Sequence, residues 1–291
     1  MKKECVFIDV FTDTAFAGNQ LAVFPDGSGL TVDQMQRLAN EINYSETTFI
    51  FESERSESDF DIRIFTPGSE LPFAGHPTLG TAYAIMDLFD LGKSGSDSLT
   101  LGTKVGAISL QKQGRILWMT QNQPEFFDQH TDMERIAGLV DLSPDDISTD
   151  LPVEEVSTGN RVLIIPVKAL NAIGRARGNA TNLSGYLAKD VVGPYLFSLE
   201  TTRADTAVHT RFFAPHLGIM EDPATGSAAG PLVGYFLKHN VFGTRFEVEN
   251  EQGVEMGRRS RILMRGVLEG AEYTIQIGGE CAYAGRGEFE I

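Results

Sequence analysis

Glu46, His76 and Asp222 are the residues whose types and settings could together move a proton. Glu46 opens "ETTFIF", an acid at the head of a run of strand formers. His76 lies in "AGHPT", with Pro77 at a favourable early helical position. Asp222 lies in "EDPATGS", just before a second helix opened by Gly226 and Ser227. Singly each has an ordinary explanation. An acid before a strand is solvated, a lone histidine at a helix start caps or packs, an Asp before Pro makes a turn, and a Ser there caps. Jointly they are the acid, base and hydrogen-bonding types that proton transfer needs. A carboxylate in a dry cleft is raised toward neutrality and can both remove and return a proton. The two helix starts add backbone N–H groups, at Gly75 and at Gly226–Ser227, suited to a substrate carboxylate or an enolate-like charge.

Other chemistries lack their residues. "GKS" at Gly92 to Ser94 resembles the end of a phosphate loop, but Asp87 occupies the place of its first glycine. No G-x-G-x-x-G follows a strand and no G-x-S-x-G is present. The histidines form no pair at ligand spacing beside an acid, and Cys5 and Cys281 stand near opposite ends. No metal, nucleotide or flavin is expected, and the cysteines are expected as two buried thiols. The balance of 24 basic and 40 acidic residues, net −16, disfavours nucleic acid. No apolar stretch reaches the roughly 20 residues of a membrane helix, and "MKKECVFIDV" does not read as a signal peptide. A cytoplasmic protein acting on a small carboxylate, away from nucleic acid and membrane, is the expectation.

Regular elements must position these groups. "VFIDVF" and "LAVF" read as strands, and "LTVDQMQRLANEI" as a helix with a Thr31–Gln34 capping box. Val32, Met35, Leu38, Ala39 and Ile42 should line its apolar face. The strand headed by Glu46 follows, then the alternating "DFDIRIFTP", then a buried helix, "PTLGTAYAIMDLFD". Short strands with glycine turns should fill Leu99 to Gln121. The "QPEFFDQHTDMERIAGLVDLSPDDISTDLP" region mixes polar turns with a short helix and is the best lobe boundary. "RVLIIPV" and "AVHTRFFAP" read as strands, "GSAAGPLVGYFLKHN" as a second buried helix, and the tail as strands.

"IFTPGSELPFAGHPTLGTAYAI" and "FFAPHLGIMEDPATGSAAGPLVGYF" share one plan: a strand ending Phe-x-Pro, a loop, a glycine, a small-residue helix. They lie about half the chain apart, which points to a duplication. The expected domains are 1–121 and 122–291, with the last strand free to return to the first lobe. The two helices should start at a common cleft.

Five blocks carry a family resemblance: "FIDVFTDTAFAGNQLAVF", "NYSETTF", "IRIFTPGSELPFAGHPTLGTA", "RFFAPHLGIMEDPATGSAAGPL" and "EQGVEMGRRS". Through them the chain resembles the phenazine-biosynthesis (PhzF-like) isomerase family over both halves. The resemblance implies an α+β fold of two pseudo-symmetric lobes, each a mainly antiparallel barrel around a central buried helix, as in diaminopimelate epimerase. It implies a cofactor-free isomerase, a homodimer, with Glu46 as general acid/base and His76, Asp222 and Ser227 in the site. It implies a substrate like trans-2,3-dihydro-3-hydroxyanthranilate. Related epimerases carry paired cysteines at the helix starts, where this chain has Gly75–His76 and Gly226–Ser227. An epimerase of an amino or hydroxy acid, and a non-catalytic binding or scaffolding member, are the alternatives.

Overall fold

The computed structural model describes residues 1–89 and 96–291, so the "GKS" segment lies outside the described residues. The chain forms a mixed α/β fold, rich in sheet and with few helices. It divides into two compact units, Met1–Thr120 with Gly278–Ile291, and Gln121–Ile277.

In the first unit β1 (Lys2–Val10) pairs antiparallel with the C-terminal strand Cys281–Glu290 and with β2 (Asn19–Phe24). α1 (Val32–Ile42) carries the chain to β3 (Glu46–Glu52), which runs parallel to β2. The Thr31–Gln34 capping box forms as expected. Met35, Leu38 and Ala39 bury against Ala22, Phe24, Phe49 and Phe65. Val32 instead stands half exposed, because the first helical turn reaches solvent rather than the sheet.

β4 (Phe60–Phe65) returns antiparallel to β3, and β5 (Glu70–Leu71) folds back on its end, Phe65 opposite Glu70. α2 (Gly75–Tyr83) follows, buried from Gly75 to Ala82. The sequence reads one continuous helix here. The structure widens it into a π turn over Ala84–Leu88, where the Phe89 N–H donates to the Ala84 carbonyl at 3.0 Å. β6 (Ser98–Thr103), β7 (Gly106–Gln113) and β8 (Ile116–Thr120) complete the unit as successive antiparallel strands. α2 touches β1, β2, β3, β6 and β8. Contact on so many sides explains why its apolar residues ring it rather than forming a stripe.

The second unit opens with β9 (Glu125–His130), a strand where the sequence reads polar turns, followed by α3 (Met133–Leu139). β9 pairs with β10 (Val153–Ser157), which supplies the cross-strand hydrogen bonds that its polar sequence does not advertise. β11 (Arg161–Pro166) pairs with β10; α4 (Leu170–Arg175) and α5 (Ala180–Tyr186) then lead to β12 (Val191–Ser198), parallel to β11. β13 (Val208–Ala214) is antiparallel to β12 and carries β14 (Ile219–Asp222) folded back on it. α6 (Gly226–Lys238) touches β10, β11 and β16 (Ser260–Glu269). β15 (Arg245–Gln252) lies parallel to β13 and antiparallel to β16, and the strand Glu272–Gly279 closes the chain's path through this unit. Leu163 and Ile165 face a core shared with α3, α4 and α5, so strand alternation turns Val162 and Ile164 the other way. Among the described residues no helix is long and apolar enough to cross a membrane.

Candidate active site

In the first unit Glu46 and Asn19 are the first residues of β3 and β2. These strands are parallel, so their heads lie at one edge, with Leu21 beside Glu46. The start of α2 comes to the same edge and brings His76. The imidazole Nε2 lies 3.3 Å from Glu46 Oε2, with the two side chains 6% and 12% exposed. That separation is a close approach and not a formed hydrogen bond. The Asn19 amide nitrogen lies 3.4 Å from His76 Nδ1, and Asn19 is fully buried.

Burial pushes the His76 pKa down to about 3, against a smaller upward pull from a backbone hydrogen bond with Gln20. The ring is therefore neutral near pH 7. It approaches Glu46 as a neutral imidazole, not as a fixed cation in an ion pair.

Close packing holds α2 in place. Thr48 and Thr81 share a hydroxyl hydrogen bond of 2.8 Å while Thr81 Oγ1 donates to the Pro77 carbonyl at 2.6 Å, so Thr48 is the donor between them. A Cβ on Gly80 would come within 2.5 Å of Leu21 Cδ2 and 2.6 Å of Val10 Cγ2, so only glycine lets the helix lie this close. Ala74 at the N-cap has no side chain to offer the first turn, which leaves Gly75 and His76 at an uncapped start.

In the second unit Asp222 ends β14, opposite Phe212. The sequence reads this stretch as loop; pairing with β13 makes it strand. Glu221, just before it, receives a two-pronged bond from the buried Arg211, 2.8 and 2.7 Å. Arg211 Nη1 also donates to the carbonyls of Ile173, Gly174 and Ala176. His209, fully buried, lies between Glu251 Oε1 at 2.9 Å and Glu255 Oε1 at 3.1 Å. Burial alone would depress its pKa, but the bonds to Glu255 and Glu251 together outweigh it and hold the ring above its ordinary value. Both carboxyls are correspondingly held below theirs, despite the opposing effect of burial.

Thr225 is the N-cap residue of α6, yet no side chain caps that helix. Its hydroxyl donates to Asp222 Oδ2 at 2.6 Å. Gly226 is buried and Ser227 half-buried in the first turn. Gln252, at the end of β15, bonds both the Asp222 carbonyl and Thr225. The next residue, Gly253, has φ +70°, and a Cβ there would meet the Arg258 and Pro223 carbonyls at 2.5 and 2.7 Å.

The structure thus brings Glu46, Gly75 and His76 together in one unit and Asp222, Gly226 and Ser227 together in the other. Sequence reasoning missed Asn19, Arg211, Thr225 and Gln252. All four stand inside the family-like blocks, the only signal that could have raised them. Cys5 and Cys281 are free buried thiols, the first pushed up to about 12 and the second higher still by burial, so neither is a thiolate near neutrality. A concavity of about 510 Å³ lined by Pro25, Asp26, Ser28, Ile50, Phe51, Glu52 and Phe60 lies at the far end of β3 from Glu46 and holds none of the candidate groups. Among the described residues no cluster of His, Cys, Asp or Glu could hold a metal.

The family model described as phenazine biosynthesis-like protein matches residues 8–287. A trans-2,3-dihydro-3-hydroxyanthranilate isomerase from Pseudomonas aeruginosa is 34% identical over 273 residues, 91% of this chain and 90% of its own. The crystal structure of a phenazine biosynthesis protein of the PhzF family from Bacillus anthracis superposes with TM-score 0.93 at 30% identity, covering 100% of each chain. A hydroxyproline epimerase from Agrobacterium vitis shares the fold alone, TM-score 0.61 at 10% identity over 99% of this chain and 92% of that one.

Proposed function

Because the chain belongs to the family of phenazine biosynthesis-like proteins and is an isomerase, we propose that it moves a proton between carbons of a small carboxylate-bearing substrate without a cofactor. The observation that carries this is the 3.3 Å approach of a neutral, buried His76 to Glu46. Glu46 is the base that removes a carbon-bound proton and the acid that returns it elsewhere on the same molecule. The neutral His76 stands against the Glu46 carboxylate, so no ion pair has to be broken when the proton arrives.

On a substrate such as trans-2,3-dihydro-3-hydroxyanthranilate, Glu46 takes the proton from C3 and delivers it to C1, and the resulting enol becomes a ketone. Asp222 and His76 hold the amino and hydroxyl groups. The uncapped helix start of each unit, Gly75 in the first and Gly226–Ser227 in the second, offers N–H groups suited to a carboxylate. In the same reading each unit is a barrel wrapped around its central helix, α2 or α6, and the protein works as a cytoplasmic homodimer.

The test is incubation with trans-2,3-dihydro-3-hydroxyanthranilate and related cyclic amino acids in D2O, followed by NMR. Solvent deuterium entering a ring carbon with a shifted double bond is the expected result. Inversion at a single stereocentre with no double-bond shift would make the protein an epimerase instead. No incorporation into any of these acids would overturn the reading.

A further inference from the structure

A threonine at an N-cap ordinarily turns its hydroxyl to the N–H two or three residues on. Thr225 does not. Its Oγ1 donates to Asp222 Oδ2 at 2.6 Å and accepts from Gln252 Nε2 at 2.9 Å. Gln252 Nε2 also donates to the Asp222 carbonyl at 2.7 Å, while Gln252 Oε1 accepts from the Thr225 N–H at 3.2 Å and from the Tyr195 hydroxyl at 3.0 Å. The glutamine amide has one workable orientation. Reversed, it would set an NH2 against the Thr225 N–H and an oxygen against the Asp222 carbonyl, two buried mismatches.

Tyr195 is held in turn by Asn250, whose Nδ2 donates to the phenol oxygen at 3.0 Å and whose Oδ1 accepts from Thr210 at 3.0 Å. Tyr195, Asn250, Gln252 and Thr210 are all fully buried. Burial pushes the phenol pKa well above its ordinary value, so it stays a donor. Donor direction therefore runs one way, from the buried amides to the Thr225 hydroxyl and from that hydroxyl to Asp222.

Resting on the reading of Asp222 as the group that holds substrate, we propose that Thr225 is a positioning residue. Its hydroxyl, turned by Gln252, fixes the direction in which the Asp222 carboxylate faces, and α6 forgoes its own side-chain cap in consequence. The plainer alternative is that these bonds only fasten the start of α6 to β15. The two differ in what happens to Asp222 itself.

Thr225→Val keeps the shape and deletes the donor; Thr225→Ser keeps the donor. Asp222 is followed through its 13Cγ resonance over a pH titration, with thermal melting in parallel. In T225V the resonance moves and its midpoint rises, because a carboxylate that loses a hydrogen-bond donor is less stable in its charged form. T225S restores both. In D2O exchange with trans-2,3-dihydro-3-hydroxyanthranilate, kcat of T225V falls by about 10–100-fold, the range that supporting hydrogen-bond partners carry at metal sites, with a smaller change in KM. Gln252→Met, which leaves Thr225 in place but removes what turns it, shifts the Asp222 resonance in the same direction and serves if T225V does not fold.

An Asp222 resonance and midpoint unmoved in T225V and Q252M, with only the melting temperature lowered, overturns the proposal in favour of fastening. A response of Asp222 with no exchange even in the wild-type protein supports the hydrogen-bond relay and refutes the functional reading. The two failures are therefore distinguishable.

Discussion

Replacing Glu46 by glutamine keeps the size, the planarity and one oxygen of the side chain and removes its capacity to carry a proton. The loss of rate can be bounded. A positioned acid–base group contributes about 10²–10⁴-fold, which is about 3–5 kcal/mol of barrier. Glu46 is proposed to act twice in one turnover, so Glu46→Gln belongs at or beyond the upper end. The effect on stability has the opposite character. His76 is neutral near pH 7, so no ion pair is lost, and an amide in a site only 12% exposed is easier to desolvate than a carboxylate. Melting temperature should stay within a few degrees of wild type while deuterium incorporation disappears. The assay is the NMR exchange experiment at matched protein concentration, with binding of the acid followed by calorimetry to show that the site remains formed. Exchange within tenfold of wild type would refute the reasoning, because a group that carries the proton cannot be replaced by one that cannot.

The two buried histidines should give opposite pH signatures in melting experiments. His76 is held below its ordinary 6.5, so its neutral form favours the fold: stability is full above about 6.5 and falls as pH drops toward 3, and His76→Asn should flatten that slope. His209 is held above 6.5 by Glu255 and Glu251, with Arg211 and Arg259 near those carboxylates. Its contribution is full below about 6.5 and is lost as pH rises through its folded pKa, and His209→Gln should remove that loss; an unchanged profile in either variant refutes the corresponding assignment. Gly80→Ala forces a methyl against Leu21 and Val10 and should cost about 1–3 kcal/mol, read as a lower denaturation midpoint. The same change should slow exchange by displacing His76 from Glu46, and unaltered exchange would show that the pair tolerates movement of α2.

Local sequence carried a good deal of this protein. Thr31 and Gln34 announce a helix start because a capping box is made by residues three apart, and it forms. The Phe-x-Pro and glycine plan located both buried helices, since small residues all round a helix mark one surrounded by other elements. Glu46, His76 and Asp222 could be singled out because their types and their places, at the start of β3, in the first turn of α2 and just before α6, are written in short stretches. The failures were local as well. β9 is polar enough to read as turn and is strand only because β10 lies beside it, and β14 exists only because β13 accepts it.

What the sequence by itself could not supply is which distant side chains meet. Asn19 reaches His76 because β2 and β3 are parallel and bring their heads to the start of α2. Gln252 reaches Thr225 and Asp222 because β15 lies beside β13, which carries β14. Such meetings are set by strand register, and register depends on the whole sheet rather than on any window of residues. The protonation of His76 and His209 was likewise decided by tertiary structure. Both are buried histidines, yet one has only neutral partners and an approach to a single carboxylate, while the other is gripped by two, and that difference in surroundings sends their pKa values in opposite directions.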